Sequence, residues 1–339
     1  MGCTATAIVL LVVVIIGGVA SYRRLTGPVP LPESSRLAAE DSVGHAVLRL
    51  DPDNPWVRQM FSELSKYSAK DPHATDLFPI EMVWSAHRSS SPAEGHILDL
   101  SFSPRGRLFG LMTDIALWRL GRGGQAKFSR VEYGGEGITS FPGTPLPGQI
   151  FVRNNSILWA SDLDTARRAV DLVVAREKQK PEAIQPAAAL ALLPDPAAHA
   201  LVGYISGESG TAARCLALLP GAELDLTEET LAGADLTFQL DASSGDTATG
   251  EVVMRFPPGT AEAAMSTAAG QLSRGISSLK WGQVVFATTP SVESSRAVIS
   301  VEASGLSTVY ARLFQEFIRM QRTLKTASED PNQSSSTFQ

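Results

Sequence analysis

Histidine is the side chain whose charge and metal-binding chemistry lie nearest neutral pH, and two of the five histidines in this sequence stand in matching settings. Gly44-His45-Ala46-Val47-Leu48 recurs 154 residues later as Ala198-His199-Ala200-Leu201-Val202. If duplication places His45 and His199 at equivalent positions across an internal two-fold axis, the two imidazoles can face one metal ion or one anion. The competing reading is imidazole at the rim of a strand, bonded to backbone. Other chemistry-bearing clusters are weaker. Asp71, His73 and Asp76 share one short stretch whose composition suits a solvated turn, and Asp51 and Asp53 suit the N-terminus of a following helix. Cys215 follows Arg214, and a neighbouring cation can lower a thiol pKa, but it lies in an apolar stretch where a small buried side chain is expected.

Two motif matches fail in context. Gly121-Arg122-Gly123-Gly124-Gln125-Ala126 has the letters of a dinucleotide-binding loop, yet Phe128 to Tyr133 alternates like a strand. Without a helix N-terminus the pyrophosphate has no seat. Ser277-Ser278-Leu279-Lys280 fits the Ser-x-x-Lys of penicillin-binding acyltransferases, but neither Ser-Asp-Asn nor Lys-Thr-Gly follows. The sequence therefore assigns no catalytic residue and no cofactor, and its metal candidates are His45 and His199.

The elements that must position these side chains come in pairs. Glu81-Met82-Val83-Trp84 recurs as Asp235-Leu236-Thr237-Phe238, again at an offset of 154, and Ala160-Ser161-Asp162-Leu163-Asp164-Thr165 recurs as Ala303-Ser304-Gly305-Leu306-Ser307-Thr308 at 143. The slip of the offset is read as a Gly/Pro-rich loop, Gly134 to Gly148, present only in the first copy. A fixed-offset repeat outranks local pattern in deciding architecture. In each copy a strand (Ala46 to Leu50, Ala200 to Ile205) leads to a helix, the first capped by Asn54-Pro55. A hairpin of alternating strands follows, then an amphipathic helix bearing Leu108, Leu111, Met112, Ile115 and Trp118, or Met265, Ala268, Leu272 and Ile276. Lys127 to Tyr133 is expected beside Ile157 to Ala160, and Gln283 to Thr288 beside Ala297 to Glu302. Ser161 and Ser304 are read as N-caps of the last helices, with Asp164 completing a capping box.

The expected fold is thus α+β: an N-terminal transmembrane helix, then two tandem repeats of β-α-β-β-α-β-β-α, with antiparallel or mixed sheets and helices on one face. The expected segments are a membrane anchor at 1–24, a Pro-rich tether at 25–42, repeats at 43–177 and 198–325, a linker at 178–197 and a disordered tail at 326–339. Ile8 to Ile16 is an unbroken Val/Ile/Leu run, each residue favouring insertion by about 0.3–0.6 kcal/mol. The uncharged stretch from Thr4 to Tyr22 approaches the ~20 residues that span a bilayer. A retained single span is preferred, with a cleaved signal ending near Gly18-Val19-Ala20 and lipidation at Gly2 or Cys3 left open. Arg23 and Arg24 favour a cytoplasmic body by the positive-inside rule. The stiff spacer Pro28, Pro30, Pro32 favours an exported, periplasmic one, which is preferred.

A net charge of -6 over 339 residues gives a surface with no attraction for phosphate backbones, so no nucleic-acid partner is expected. Cys3 and Cys215 cannot form an intramolecular disulfide in the expected topology. The run Trp159-Ala160-Ser161-Asp162-Leu163-Asp164-Thr165-Ala166, its second copy and the order of elements resemble uncharacterised bacterial envelope proteins with one N-terminal anchor and a duplicated α+β body. That resemblance implies an exported, membrane-tethered location and carries no active site. Two function classes follow: a non-catalytic binding or scaffolding module of the cell envelope, with the membrane and a protein, peptide or lipid as partners; and an exported hydrolase or transferase with dispersed active-site residues.

Overall fold

The structure is a computed structural model that describes residues 34–50, 57–58, 79–88, 94–102, 115, 129–141, 148–177, 193–196, 198–217, 231, 233–242, 246–279 and 283–306. The chain divides into two compact units, Met1–Leu50 with Asp76–Ser206, and Asp51–Thr75 with Gly207–Gln339.

The first unit contains β1 (Ser42–Arg49), β2 (Pro79–His87), β3 (Gly95–Phe102), β4 (Ser129–Tyr133), β5 (Glu136–Phe141), β6 (Gly148–Arg153), β7 (Ser156–Ala160), the helix α1 (Leu163–Glu177) and β8 (Leu201–Ile205). Its strands lie in the order β8-β1-β2-β3-β7-β6-β5-β4, every adjacent pair antiparallel. The second unit contains the short helix α2 (Thr211–Ala217), β9 (Asp235–Ala242), β10 (Thr247–Arg255), the helix α3 (Glu262–Ser278), β11 (Val285–Glu293) and β12 (Arg296–Ser304), its strands ordered β11-β12-β10-β9.

The expected α+β architecture is corrected by this arrangement. Among the described residues, twelve antiparallel strands dominate and the α-helices number three. What recurs is a strand ladder, not a β-α-β-β-α-β-β-α unit. No described helix is long and apolar enough to cross a membrane. The expected anchor at 1–24 lies outside the described residues, as do most of the helix after Asn54, most of the 108–118 helix and the tail.

Register defines the recurrence. Trp84 pairs with Leu98, and Leu98 with Trp159; at equivalent places Phe238 pairs with Val252, and Val252 with Ile299. The hairpin turns agree too, with left-handed residues at Asn154 (φ 53°) and Ser294 (φ 52°). The offset is therefore 154 for β2-β3 against β9-β10, and 140 for β6-β7 against β11-β12. The Ala160/Ala303 match at 143 is overturned: Ala160 pairs with Ile97, whereas Ala303 pairs with Ala248. A slip of three residues in a two-residue period puts those alanines on opposite sheet faces. The extra length of the first copy is not a loop only, because β5 forms within it and pairs with β4 and β6.

Helices do not share one face of the common ladder. α1 buries Ala166, Ala169, Val170 and Val173 against Val47, Val83, Ile97, Leu158 and Phe151, each fully buried valine or leucine contributing about 1.5–3 kcal/mol. α3 buries Met265, Ala268, Ala269 and Leu272, and its Ser273 and Ser277 hydroxyls meet Thr288 Oγ1, both at 2.7 Å. Thr288 shares its face with Val301 and Gly250, hence with Phe238 and Val252. In ladder terms that is the face of Trp84 and Leu98, opposite the one α1 covers.

The caps differ from expectation as well. Asp162, not Ser161, opens α1: its Oδ1 accepts Thr165 N–H at 2.8 Å and its Oδ2 accepts the Thr165 hydroxyl at 2.6 Å. Burial raises the Asp162 pKa, but these bonds, with those from Ser161 and the Asp164 backbone, outweigh it and the net shift is downward. Ser161 instead ties strand to helix, accepting His96 N–H at 3.1 Å. Ser304 is the last residue of β12, and Gly305 N–H is accepted by Asp246 at 3.3 Å.

At the outer side of the second ladder, β11 pairs with β12 alone among the described residues. Glu293 and Arg296 close a two-residue turn, so hydrogen-bonded and non-bonded rungs alternate outward from them. Pro290, opposite Ile299, falls on a non-bonded rung, where its ring nitrogen faces outward and no ladder bond is lost.

Candidate functional site

The α1 side of the first ladder gathers polar groups where a core is expected. Its rungs read Arg49, Glu81, Ser101, Ser156; then Val202, Val47, Val83, Asp99, Leu158; then Tyr204, His45, Ser85, Ile97, Ala160. Strand alternation puts all of these on one face. A strap, residues 34–41, enters between this face and α1. It opens with a 3-10 turn, Ser34–Leu37, and buries Leu37 in the main core and Ala39 against Leu172 and Ala175. This part of the expected Pro-rich tether is therefore packed structure rather than spacer.

Arg36 is the strap's first fastener. Its guanidinium pairs with Asp99 through Nη2 and through Nε at 2.7 Å, and Nη2 also donates to Ser156 Oγ at 2.8 Å. Ser156 and Ser101 hydroxyls meet at 3.0 Å. Asp99 is 1 % exposed, and among the described residues its Oδ1 has no hydrogen-bond donor. Burial pushes its pKa up against the pull of Arg36. Glu81, also pushed up by burial, lies 3.3 Å from Arg49.

The second fastener has the connectivity of a serine triad. Ser85 Oγ lies 3.0 Å from His87 Nε2, and His87 Nδ1 lies 3.5 Å from Asp41 Oδ1. Ser42 Oγ is 3.4 Å from the same Nδ1, and Arg168 reaches Asp41 at 3.1 Å. Burial opposes ionisation of Asp41, but hydrogen bonds and charge from His87 and Arg168 outweigh it, so its carboxyl sits far below the usual range.

A triad serine must be free to meet substrate and to surrender its proton to histidine. Ser85 is 0 % exposed, and its single hydroxyl hydrogen is shared with the Leu37 and Gly44 carbonyls at 3.4 and 3.3 Å. Leu37 belongs to the strap that covers Ser85, and the same strap carries Asp41. Lifting the whole strap off the serine would carry away the acid that would orient its histidine.

The sequence-level candidates are not brought together. His45 is buried in β1 opposite Ser85 and Tyr204. His199 precedes β8, beside the Arg49 N–H to Ala200 carbonyl bond. Five residues of ladder at ~3.4 Å each separate them, about 17 Å, too far to share one ion. Among the described residues no group of three His, Cys, Asp or Glu side chains could hold a metal. Cys215 lies in α2 and Ser277–Ser278 end α3. Asp51, Asp53, Asp71, His73, Asp76, Lys280 and the Gly121–Ala126 loop are outside the described residues. The polar network carries little sequence signal, since Arg36, Asp99 and Glu81 each look like ordinary surface charges; the one signal is Asp99 and Ser101 alternating with Leu98 and Leu100 in β3, on the face that also carries Ile97.

Compared with known protein families, with curated proteins and with solved structures, the chain finds no match.

Proposed function

We propose that this chain is a non-catalytic binding or scaffolding module, tethered to a membrane by its first 24 residues with its body outside the cytoplasm, and that its partner is a protein, peptide or lipid. The observation that carries this reading is Ser85 sealed under the strap that also supplies Asp41. The concentration of charge in the first unit is spent on internal fastening, and the acidic surface does not favour nucleic acid. The residues of an uncharged leader favour a membrane.

A second reading, an exported hydrolase, is favoured by the 3.0 Å Ser85–His87 contact alone. Fluorophosphonate labelling of the full chain in native membranes separates the two. The module reading expects no labelling above that of Ser85→Ala, together with a reproducible cross-linked companion that is lost from membranes when residues 1–24 are removed. Labelling abolished by Ser85→Ala would overturn it in favour of the hydrolase.

A further inference from the structure

We infer that the strap, residues 34–41, is a latch that lifts as a unit and uncovers an acid-floored groove between α1 and strands β2, β3 and β7, without unravelling the sheet. Three features carry this. First, the strand pairing begins at Ser42, which pairs with His87, so lifting the strap leaves the paired residues of β1 and β2 in place. Its C-terminal end is hinged on the first residue of β1: Ser42 N–H donates to the Ala39 carbonyl and Ala39 N–H to Ser42 Oγ, both at 2.9 Å. Arg88 N–H to the Asp41 carbonyl, at 2.9 Å, attaches its far end.

Second, the strap is held by discrete fasteners at its two ends rather than by a continuous apolar stripe. Arg36 engages Asp99 and Ser156 at one end, and Asp41 engages His87 and Arg168 at the other. Between them Leu37, Ala38 and Ala39 are buried, and the Leu37 carbonyl accepts the Ser85 hydroxyl at 3.4 Å. Buried ion pairs contribute little net stability because desolvation offsets their attraction, and their best-attested use is in specifying one arrangement over another. Third, the floor they leave is itself polar: Asp99 with one oxygen unmatched, Glu81, Ser101, Ser156 and Ser85. A floor of that kind has another hydrogen-bonding option once the strap is away, whereas an apolar floor has none. Segments of this sort open locally at lower free energy than the strands beneath them.

Hydrogen exchange on the full chain tests the latch independently of any partner. The strap amides are expected to exchange at least about ten-fold faster than those of β2 and β3. Arg168→Ala should speed the strap several-fold, and Asp99→Asn about ten-fold or more, with the strand rates unmoved. One common rate for strap and strands, shifted together by both variants, would sink the proposal. Where Asp99→Asn fails to fold, Ala38→Cys in a Cys3→Ser, Cys215→Ser background decides. Thiol labelling faster than global unfolding supports the latch, and labelling only at the rate of global unfolding overturns it.

Discussion

The first and second ladders share their register and differ in where they keep charge. In the first, the central rung holds Asp99 between Val83 and Leu158, under α1; its counterpart in the second is Thr237, Val253 and Val298. The rungs on either side invert the pattern. Ser85, Ile97 and Ala160 become Gln239, Glu251 and Ser300, while Glu81, Ser101 and Ser156 become Asp235, Arg255 and Arg296. Charge in the second ladder therefore sits on half-buried or exposed rungs, with Gln239 Nε2 donating to Glu251 Oε1 at 2.9 Å. At the same offset of 154, Arg36 corresponds to Leu190 and Asp99 to Val253. The common ladder thus carries aspartate on this rung in one unit and valine in the other, so a charge there is a choice about fastening and not a requirement of the ladder.

The sharpest way to break this comparison is to change the first ladder into the second. Asp99→Val alone strands Arg36 in the interior and is expected to cost about 3–5 kcal/mol in urea unfolding, while Arg36→Leu with Asp99→Val should recover nearly all of it. A double variant as unstable as the single would show that the two ladders are not interchangeable at this rung. Next in size is Gly95→Ala, which should cost about 1–3 kcal/mol, since a Cβ there runs into the Thr165 side chain at the start of α1. Gly270→Ala on the outer side of α3, where a Cβ meets nothing within 4 Å, should instead raise the melting temperature.

Acid gives a smaller effect. Asp41 has a depressed folded pKa, so its contribution is complete above the ordinary carboxylate range and is lost as pH falls through the lowered value. Asp99 and Glu81, pushed up by burial, act in the opposite sense, so the informative quantity is the difference between the parent and Arg168→Ala. That difference should shrink on acidification from about 1 kcal/mol or less at neutral pH. Smallest is the turn pair: Ser294→Gly should gain up to about 1 kcal/mol by relieving left-handed strain, and Asn154→Gly less, because asparagine tolerates that region.

Many strand positions were legible because alternation is local: Ile80, Met82 and Trp84, and Leu236, Phe238 and Leu240, mark their strands without any knowledge of neighbours; pairing was not, since β5 and β6 lie between Lys127 to Tyr133 and Ile157 to Ala160, which were expected side by side. The wrong offset of 143 shows where that stops. Ala160-Ser161 and Ala303-Ser304 match as letters, but the register is set by the hairpin turns, which align Asn154 with Ser294. The strap was illegible for a related reason. Ser34 to Asp41 has neither alternation nor helical period, and only contact with Asp99 and Ser156, over sixty residues downstream, makes it core. Ser85 and His87 lie two apart in a strand, a spacing that brings their side chains together whether or not chemistry follows.

Pro290 has a consequence for how many copies of this chain can crowd together. An outer strand normally offers its amides as a template on which another molecule can zip, and tethering to a membrane would raise the local concentration that drives such growth. A ring nitrogen in the middle of that border removes the central donor, so neighbouring copies meet a gap where the first cross-link of a fibril would form.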